Sequence, residues 1–259
     1  MTSMADLARE SILIAGAGRA ILLQIADPAI GAGVARHSDF SERPLDRLHA
    51  TLTFVYALAL GTEEEQRDVA RSVNRAHVPV RSHDGDAAPV YSAFDPQLQL
   101  WVAATLYDTA VQVYELIYGP MSDADADRVY REYAIVGTSL QLPVGMWPES
   151  RTAFSRYWDE RVAMLEVTPE AVRVSRELLT ARATPSAVRS LLPLARLATA
   201  ALLPASLRAP FGFRWSARQQ RRFDRRLAVA RVVWPMLPRS VRGAAASYYL
   251  ARLRAGASV

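Results

Sequence analysis

Helix-opening signals recur along this chain so closely that little room is left for strands. Thr62 with Glu65 and Ser216 with Gln219 are capping boxes, and Ser122 with Asp125 caps in a similar way. Each supplies a side-chain oxygen to the unpaired N–H groups of a first helical turn. Asp95-Pro96, Thr168-Pro169-Glu170 and Thr184-Pro185 join a capping residue to a proline whose fixed φ suits that turn. Period-2 alternation is almost absent between these signals. The chain is therefore expected to be all-α, a single multi-helix domain of about ten helices. The βαβ alternation of dinucleotide-binding folds is missing.

The predicted helices cover residues 4–25, 44–60, 62–77, 95–119, 122–138, 150–164, 168–183, 184–201, 216–233 and 240–254. A polar connection is expected over 31–43, and a loop over 80–92 around Asp84-Gly85. Gly16-Ala17-Gly18 has no strand before it, so it reads as close helix packing rather than a phosphate loop. In the 95–119 helix, Leu98, Trp101, Val102, Thr105 and Leu106 fall on one broad face, which marks a central core helix.

Composition removes whole classes of chemistry. The chain has no cysteine, which excludes disulfides, thiolate zinc sites and a cysteine nucleophile. It also has no lysine, so Schiff-base chemistry and a P-loop lysine are excluded. No HExxH, no G-x-S-x-G and no pair of Glu-x-x-His motifs is present. Residues 182–259 hold fifteen arginines and one acid, Asp224, whereas the whole chain is only +5, so residues 1–181 carry a net −9. The expected organisation is a helical core over 1–181 and an arginine-rich helical part over 182–259 packed on it. That part suggests peripheral contact with an anionic membrane or a partner. The run Arg218–Arg231, with Phe223 interleaved, reads as a solvated or membrane-facing surface rather than a nucleic-acid groove. No basic region precedes the first apolar run, and Arg19 interrupts it, which argues against a signal peptide or membrane span. A cytoplasmic protein is expected, with membrane association left open.

The residues from Arg47 to His77 combine an apolar helix, a cation, two histidines and hydroxyls. His77 stands at a predicted helix end, either as a packing residue or as a single metal ligand, since one axial haem bond needs only one neutral imidazole. Arg47 and Thr51 are four apart and share a helix face. An arginine on an apolar helix wants an anion, either a protein carboxylate such as Asp46 or Glu115 or a cofactor propionate.

Several pieces in order are Arg47-Leu48-His49-Ala50-Thr51 with Phe54, Val73-Asn74-Arg75-Ala76-His77-Val78, Tyr91-Ser92-Ala93-Phe94-Asp95-Pro96 leading to Trp101-Val102, and Leu142-Pro143 to Pro148. Together they resemble the catalytic-domain family of rubber oxygenases (latex clearing proteins) and MpaB-type oxygenases. The resemblance implies a globin-like core holding haem b, with His77 as the iron ligand and Arg47 and Thr51 structuring the haem pocket. It implies a haem-dependent oxygenase that takes dioxygen and an apolar small molecule or lipid-like substrate. Trp101 and Thr105 are then expected to wall the cavity. Ala50 stands where rubber oxygenases place a lysine able to cap the iron, and Ala103 where many relatives have a histidine. Ser82 interrupts an Arg-x-Gly continuation. The sixth iron position is thus open, filled by another residue, or lost with the haem.

Overall fold

Caps set the first level of structure. The computed structural model describes residues 1–37, 45–83, 89–180 and 186–256. From the N-terminus come α1 (Met4–Ala8), a 3-10 turn (Ser11–Gly16), α2 (Ala17–Ile25), α3 (Pro28–His37), α4 (Asp46–Leu60) and α5 (Glu63–His77). The middle holds α6 (Pro96–Tyr118), α7 (Asp123–Tyr133), α8 (Ile135–Thr138), α9 (Arg151–Ala163) and α10 (Pro169–Thr180). The last are α11 (Ser186–Leu202), α12 (Ala205–Arg208), α13 (Ala217–Met236), α14 (Arg239–Arg242) and α15 (Ala244–Arg254). A lone bridge between Arg81 and Ser92 is the β-type pairing seen among the described residues, so the all-α expectation holds. The Thr62–Glu65 box closes in both directions, and Asp95 accepts from the N–H groups of Gln97 and Leu98.

Several boundaries differ from the sequence reading: α13 runs through Pro235 to Met236 rather than ending at Val233, α12 lies within the expected 203–215 connection, and two further differences have a visible cause. Residues 4–25 form three pieces, because the backbone is extended at Glu10, where the carboxylate is committed elsewhere. Glu10 accepts from Tyr118 Oη and Trp234 Nε1, both at 2.7 Å, and pairs with Arg242. The supposed polar connection after Gly31 is instead helical through His37. Asp27 explains this: its carboxylate accepts from Ala29 N–H at 2.9 Å and Ile30 N–H at 3.2 Å. Asp27-Pro28 therefore ends one helix and opens the next, and the chain bends by 109° between them. The expected start at Pro44, the Asp84-Gly85 turn and the Thr184-Pro185 cap lie outside the described residues.

α6 is the central pillar. Trp101 is fully buried on it, against Leu22, Leu23 and Ile25 of α2, which are equally inaccessible. Such a ring removes about 150–250 Å² from water, a gross gain on the order of 4–6 kcal/mol. The glycines near the N-terminus serve close approach. A Cβ at Gly16 would meet Thr109 of α6 at 2.4 Å, and one at Gly18 would meet Thr199 of α11 at 2.0 Å. In the arginine-rich part, α11 packs on α2, α13 on α6 and α15 on α4. Among the described residues no single helix is long and apolar enough to cross a membrane. The bent pair Ser11–Ile25 with Pro28–His37 meets that test jointly, but Leu22, Leu23 and Ile25 are spent on the core.

Candidate functional site

α3, α4, α5, α6 and α15 surround a cavity of about 720 Å³. Small-molecule and cofactor sites span roughly 300–1,000 Å³, so this lies in the upper part of that range. Its wall is mostly apolar: Ile30 and Val34 from α3, Phe54 from α4, Val73 from α5, Leu98, Val102 and Leu106 from α6, and Leu253 from α15. Among the described residues, half of the polar groups on the wall come from α4 and α5.

His77 is the last residue of α5, which stops because Pro79 follows. Its ring lines the cavity and stands edge-on to Phe94, with centroids 6.3 Å apart. Nδ1 is buried and has no hydrogen-bond partner among the described residues. Burial, and then the charge of Arg47, hold the imidazole pKa below its usual value. His77 is therefore a neutral imidazole at neutral pH, the form that ligates metals.

Arg47 and Thr51 both line the cavity. Thr51 Oγ1 donates to the Arg47 carbonyl at 2.8 Å, one turn back, so its oxygen can only accept from a further partner. The Arg47 guanidinium has one weak contact, to Gln24 Oε1 at 3.4 Å. No carboxylate among the described residues pairs with it, although Asp46 and Glu115 were both candidates. Glu115 instead accepts from Met121 N–H at 3.3 Å. Burial pushes the guanidinium pKa down. A buried guanidinium in this state favours an anion beside it.

Trp101 and Thr105 are placed differently from the expectation. Neither lines the cavity. Trp101 Nε1 donates to the Leu23 carbonyl at 3.1 Å, and its ring lies 5.1 Å from that of Trp158. Thr105 donates to the Val102 carbonyl at 2.7 Å and accepts from Gln24 Nε2 at 3.0 Å. The physical reason is helical phase: the mean direction of Leu98, Val102 and Leu106 lies about 80° around the helix from that of Trp101 and Thr105. Thr105 still reaches the site indirectly, since the Gln24 it holds contacts Arg47.

Residues that sequence reasoning did not assign to the site complete the wall. His49 Nδ1 lies 2.6 Å from the Tyr249 hydroxyl of α15, and Tyr249 stacks on Tyr56 at 5.6 Å. His37 Nε2 lies 3.0 Å from the Tyr91 hydroxyl. Gly33 permits the close approach of that ring, because a Cβ there would meet Tyr91 Cδ2 at 3.1 Å. Arg252 comes from the C-terminal helix. His49 carried a signal, since it sits between Arg47 and Thr51; Arg252 carried none, because only the fold brings it here. Ala50 and Ala103 also face the cavity, and neither can reach a metal as a ligand. Among the described residues no group of three or more His, Cys, Asp or Glu could hold a bare ion. The donor set suits a metal that brings most of its own ligands and takes one imidazole from the protein.

The family model described as "ER-bound oxygenase mpaB/B'/Rubber oxygenase, catalytic domain" matches residues 5–232. An uncharacterized protein of Mycobacterium bovis and one of Mycobacterium tuberculosis are similar to the chain. Each is 36% identical over 224 residues, covering 84% of this chain and 87% of its own length. No solved structure matches.

Proposed function

The chain belongs to the ER-bound oxygenase mpaB/B'/rubber oxygenase catalytic-domain family, and from that premise we propose that it is a haem-b-dependent oxygenase acting with dioxygen on an apolar small molecule or lipid-like substrate. One observation carries the reading: Nδ1 of His77, buried and without a partner among the described residues, belongs to a neutral imidazole on the same apolar cavity as an arginine that no described carboxylate pairs with. A buried polar nitrogen without a partner costs about 1–3 kcal/mol, which a metal bond made at that nitrogen would offset.

The roles divide by chemistry. Haem b, when bound, supplies the redox-active iron that dioxygen chemistry requires. His77 offers the imidazole that holds it. Arg47 offers its guanidinium to a propionate, and Gln24, held by Thr105, steadies that guanidinium. Thr51 offers an acceptor oxygen one turn away. Val102, Leu106 and Phe54 exclude water and receive the apolar substrate. Ala50 and Ala103 leave room where longer side chains stand in many relatives.

The test is the Soret band of protein expressed with haem supplied, for wild type and His77→Ala. The wild type is expected to show the band and the variant to lose or shift it. A colourless wild type ends the haem reading. An unchanged band in the variant ends the ligand assignment.

A second, compatible reading concerns α13. No residue of this helix is buried, and Val229, Val232 and Met236 are 62%, 64% and 78% exposed. They continue the helical line of Arg218, Arg222 and Arg225. An apolar stripe beside arginines fits the headgroup region of an anionic bilayer. Co-sedimentation with anionic vesicles should be strong at low salt, weaker at high salt, and lost in Arg222→Glu/Arg225→Glu. Equal binding to neutral vesicles refutes this reading.

A further inference from the structure

α15 (Ala244–Arg254) lies beyond residues 5–232, the segment that carries the family match. It is nonetheless a wall of the cavity, through Arg252 and Leu253. Two tethers hold it there. Tyr249 meets His49 of α4 at 2.6 Å, and Arg254 pairs with Glu65 of α5 at 2.7 Å. α15 is thus fixed to the two helices that carry Arg47 and His77.

Arg252 is half-buried and, like Arg47, is not paired with any carboxylate among the described residues. Its contacts are the Tyr248 ring, 5.8 Å from the guanidinium carbon, and the Tyr248 hydroxyl at 3.5 Å. Tyr248 is itself 52% exposed and brings no negative charge. Among the described residues, Asp46, exposed at the α4 start, is the one acidic residue on the wall. The charge of Arg252 reaches His49, just as that of Arg47 reaches His77. Among the described residues, the cavity therefore holds two guanidinium groups not paired with a carboxylate, and a mainly apolar interior.

We propose that Arg252 is a second carboxylate anchor, acting with Arg47 to hold a ligand that carries two carboxylates on an apolar body. This rests on the haem reading above in one respect: haem b is a ligand of that class, with two propionates on an apolar macrocycle. A free long-chain dicarboxylic acid shares the chemistry. α15 then completes the binding site as well as the fold.

Ligand-free protein is titrated with hemin, followed by the Soret band, and with hexadecanedioic acid, followed by calorimetry. The proteins are wild type, Arg252→Met, Arg252→Lys and Arg47→Met, each checked for native helicity by circular dichroism. Arg252→Met is expected to weaken hemin about tenfold, the ~1.4 kcal/mol of one charge-assisted hydrogen bond. Arg252→Lys should recover part of the loss, and the dimethyl ester of hemin should bind wild type and Arg252→Met alike. If hemin binds wild type and Arg252→Met equally, the anchor is refuted and the haem reading stands. If only the diacid binds, and binds through Arg252, the anchor stands and the haem reading falls. If neither ligand binds wild type, both fall.

Discussion

Two arginines of this protein should respond to the same substitution with opposite signs. Arg19 of α2 is 3% exposed and has partners at all three nitrogens: it donates to the Leu202 carbonyl at 2.9 Å, Thr109 Oγ1 at 2.6 Å and Asp108 Oδ2 at 2.5 Å. Arg19→Met removes one partner of a buried pair and strands Asp108, a loss of about 3–5 kcal/mol. Arg47 has only the 3.4 Å contact to Gln24. In a dry core an unpaired charge is costly in the same range, but the wall of a cavity is partly hydrated, so roughly 1 kcal/mol remains. Methionine preserves the apolar stem and removes the charge. Arg47→Met is therefore expected to stabilise the ligand-free protein by about 1 kcal/mol, raising Tm by about 2–4 °C for a chain of this size, while Arg19→Met lowers it by roughly 10 °C. Thermal unfolding by circular dichroism, with urea midpoints as a second measure, reads both. A site residue kept for its ligand is a stability liability until the ligand arrives. A destabilised Arg47→Met would mean that Arg47 is a structural residue, and both carboxylate arguments above would lose their footing.

Three further outcomes are expected. Trp101→Phe should cost about 1–3 kcal/mol through the lost bond to Leu23 and lost packing, yet leave hemin affinity unchanged; a selective loss of affinity would return Trp101 to the cavity wall. Ala50→Phe should block hemin uptake at little cost to helicity, because Ala50 lines the cavity and is only half-buried; unimpaired uptake would show that the cavity is used elsewhere. Burial lowers the pKa of both His77 and His49 in the folded chain. The unfolded chain then takes up their protons first, so stability present above about pH 6.5 is lost as the pH falls below it. Urea midpoints at pH 7.5 and 5.5 should show a smaller drop in His49→Asn/His77→Asn than in wild type; equal drops would contradict the shared cause.

Much of the fold was legible because it is written locally. The capping pairs at Thr62, Ser122 and Ser216 and the proline start at Pro96 all open helices where expected. The failures share a cause, in that a side chain was recruited at long range or used twice. Glu10 interrupts a helical pattern because Tyr118, Trp234 and Arg242, more than a hundred residues away, compete for it. Asp27-Pro28 was read as a stop, which it is, but Asp27 also caps α3, and nothing in the dipeptide separates an ending from an ending that restarts.

The site shows a stricter limit. Helical periodicity says that Leu98, Trp101, Val102, Thr105 and Leu106 are buried, and all are at least half-buried. It cannot say which half of that broad face meets α2 and which meets a cavity, because both surroundings are apolar. The choice is made by the partner: Leu23 offers a carbonyl to the Trp101 indole, and Gln24 offers an amide to Thr105. Arg252 is the extreme case, since fifteen arginines crowd the last third of the chain and composition cannot single one out. Only the docking of α15 on α4 distinguishes it from the arginines of α13, which face solvent. An arginine's chemistry here is set by which neighbour fails to neutralise it, and that is a property of the assembled fold.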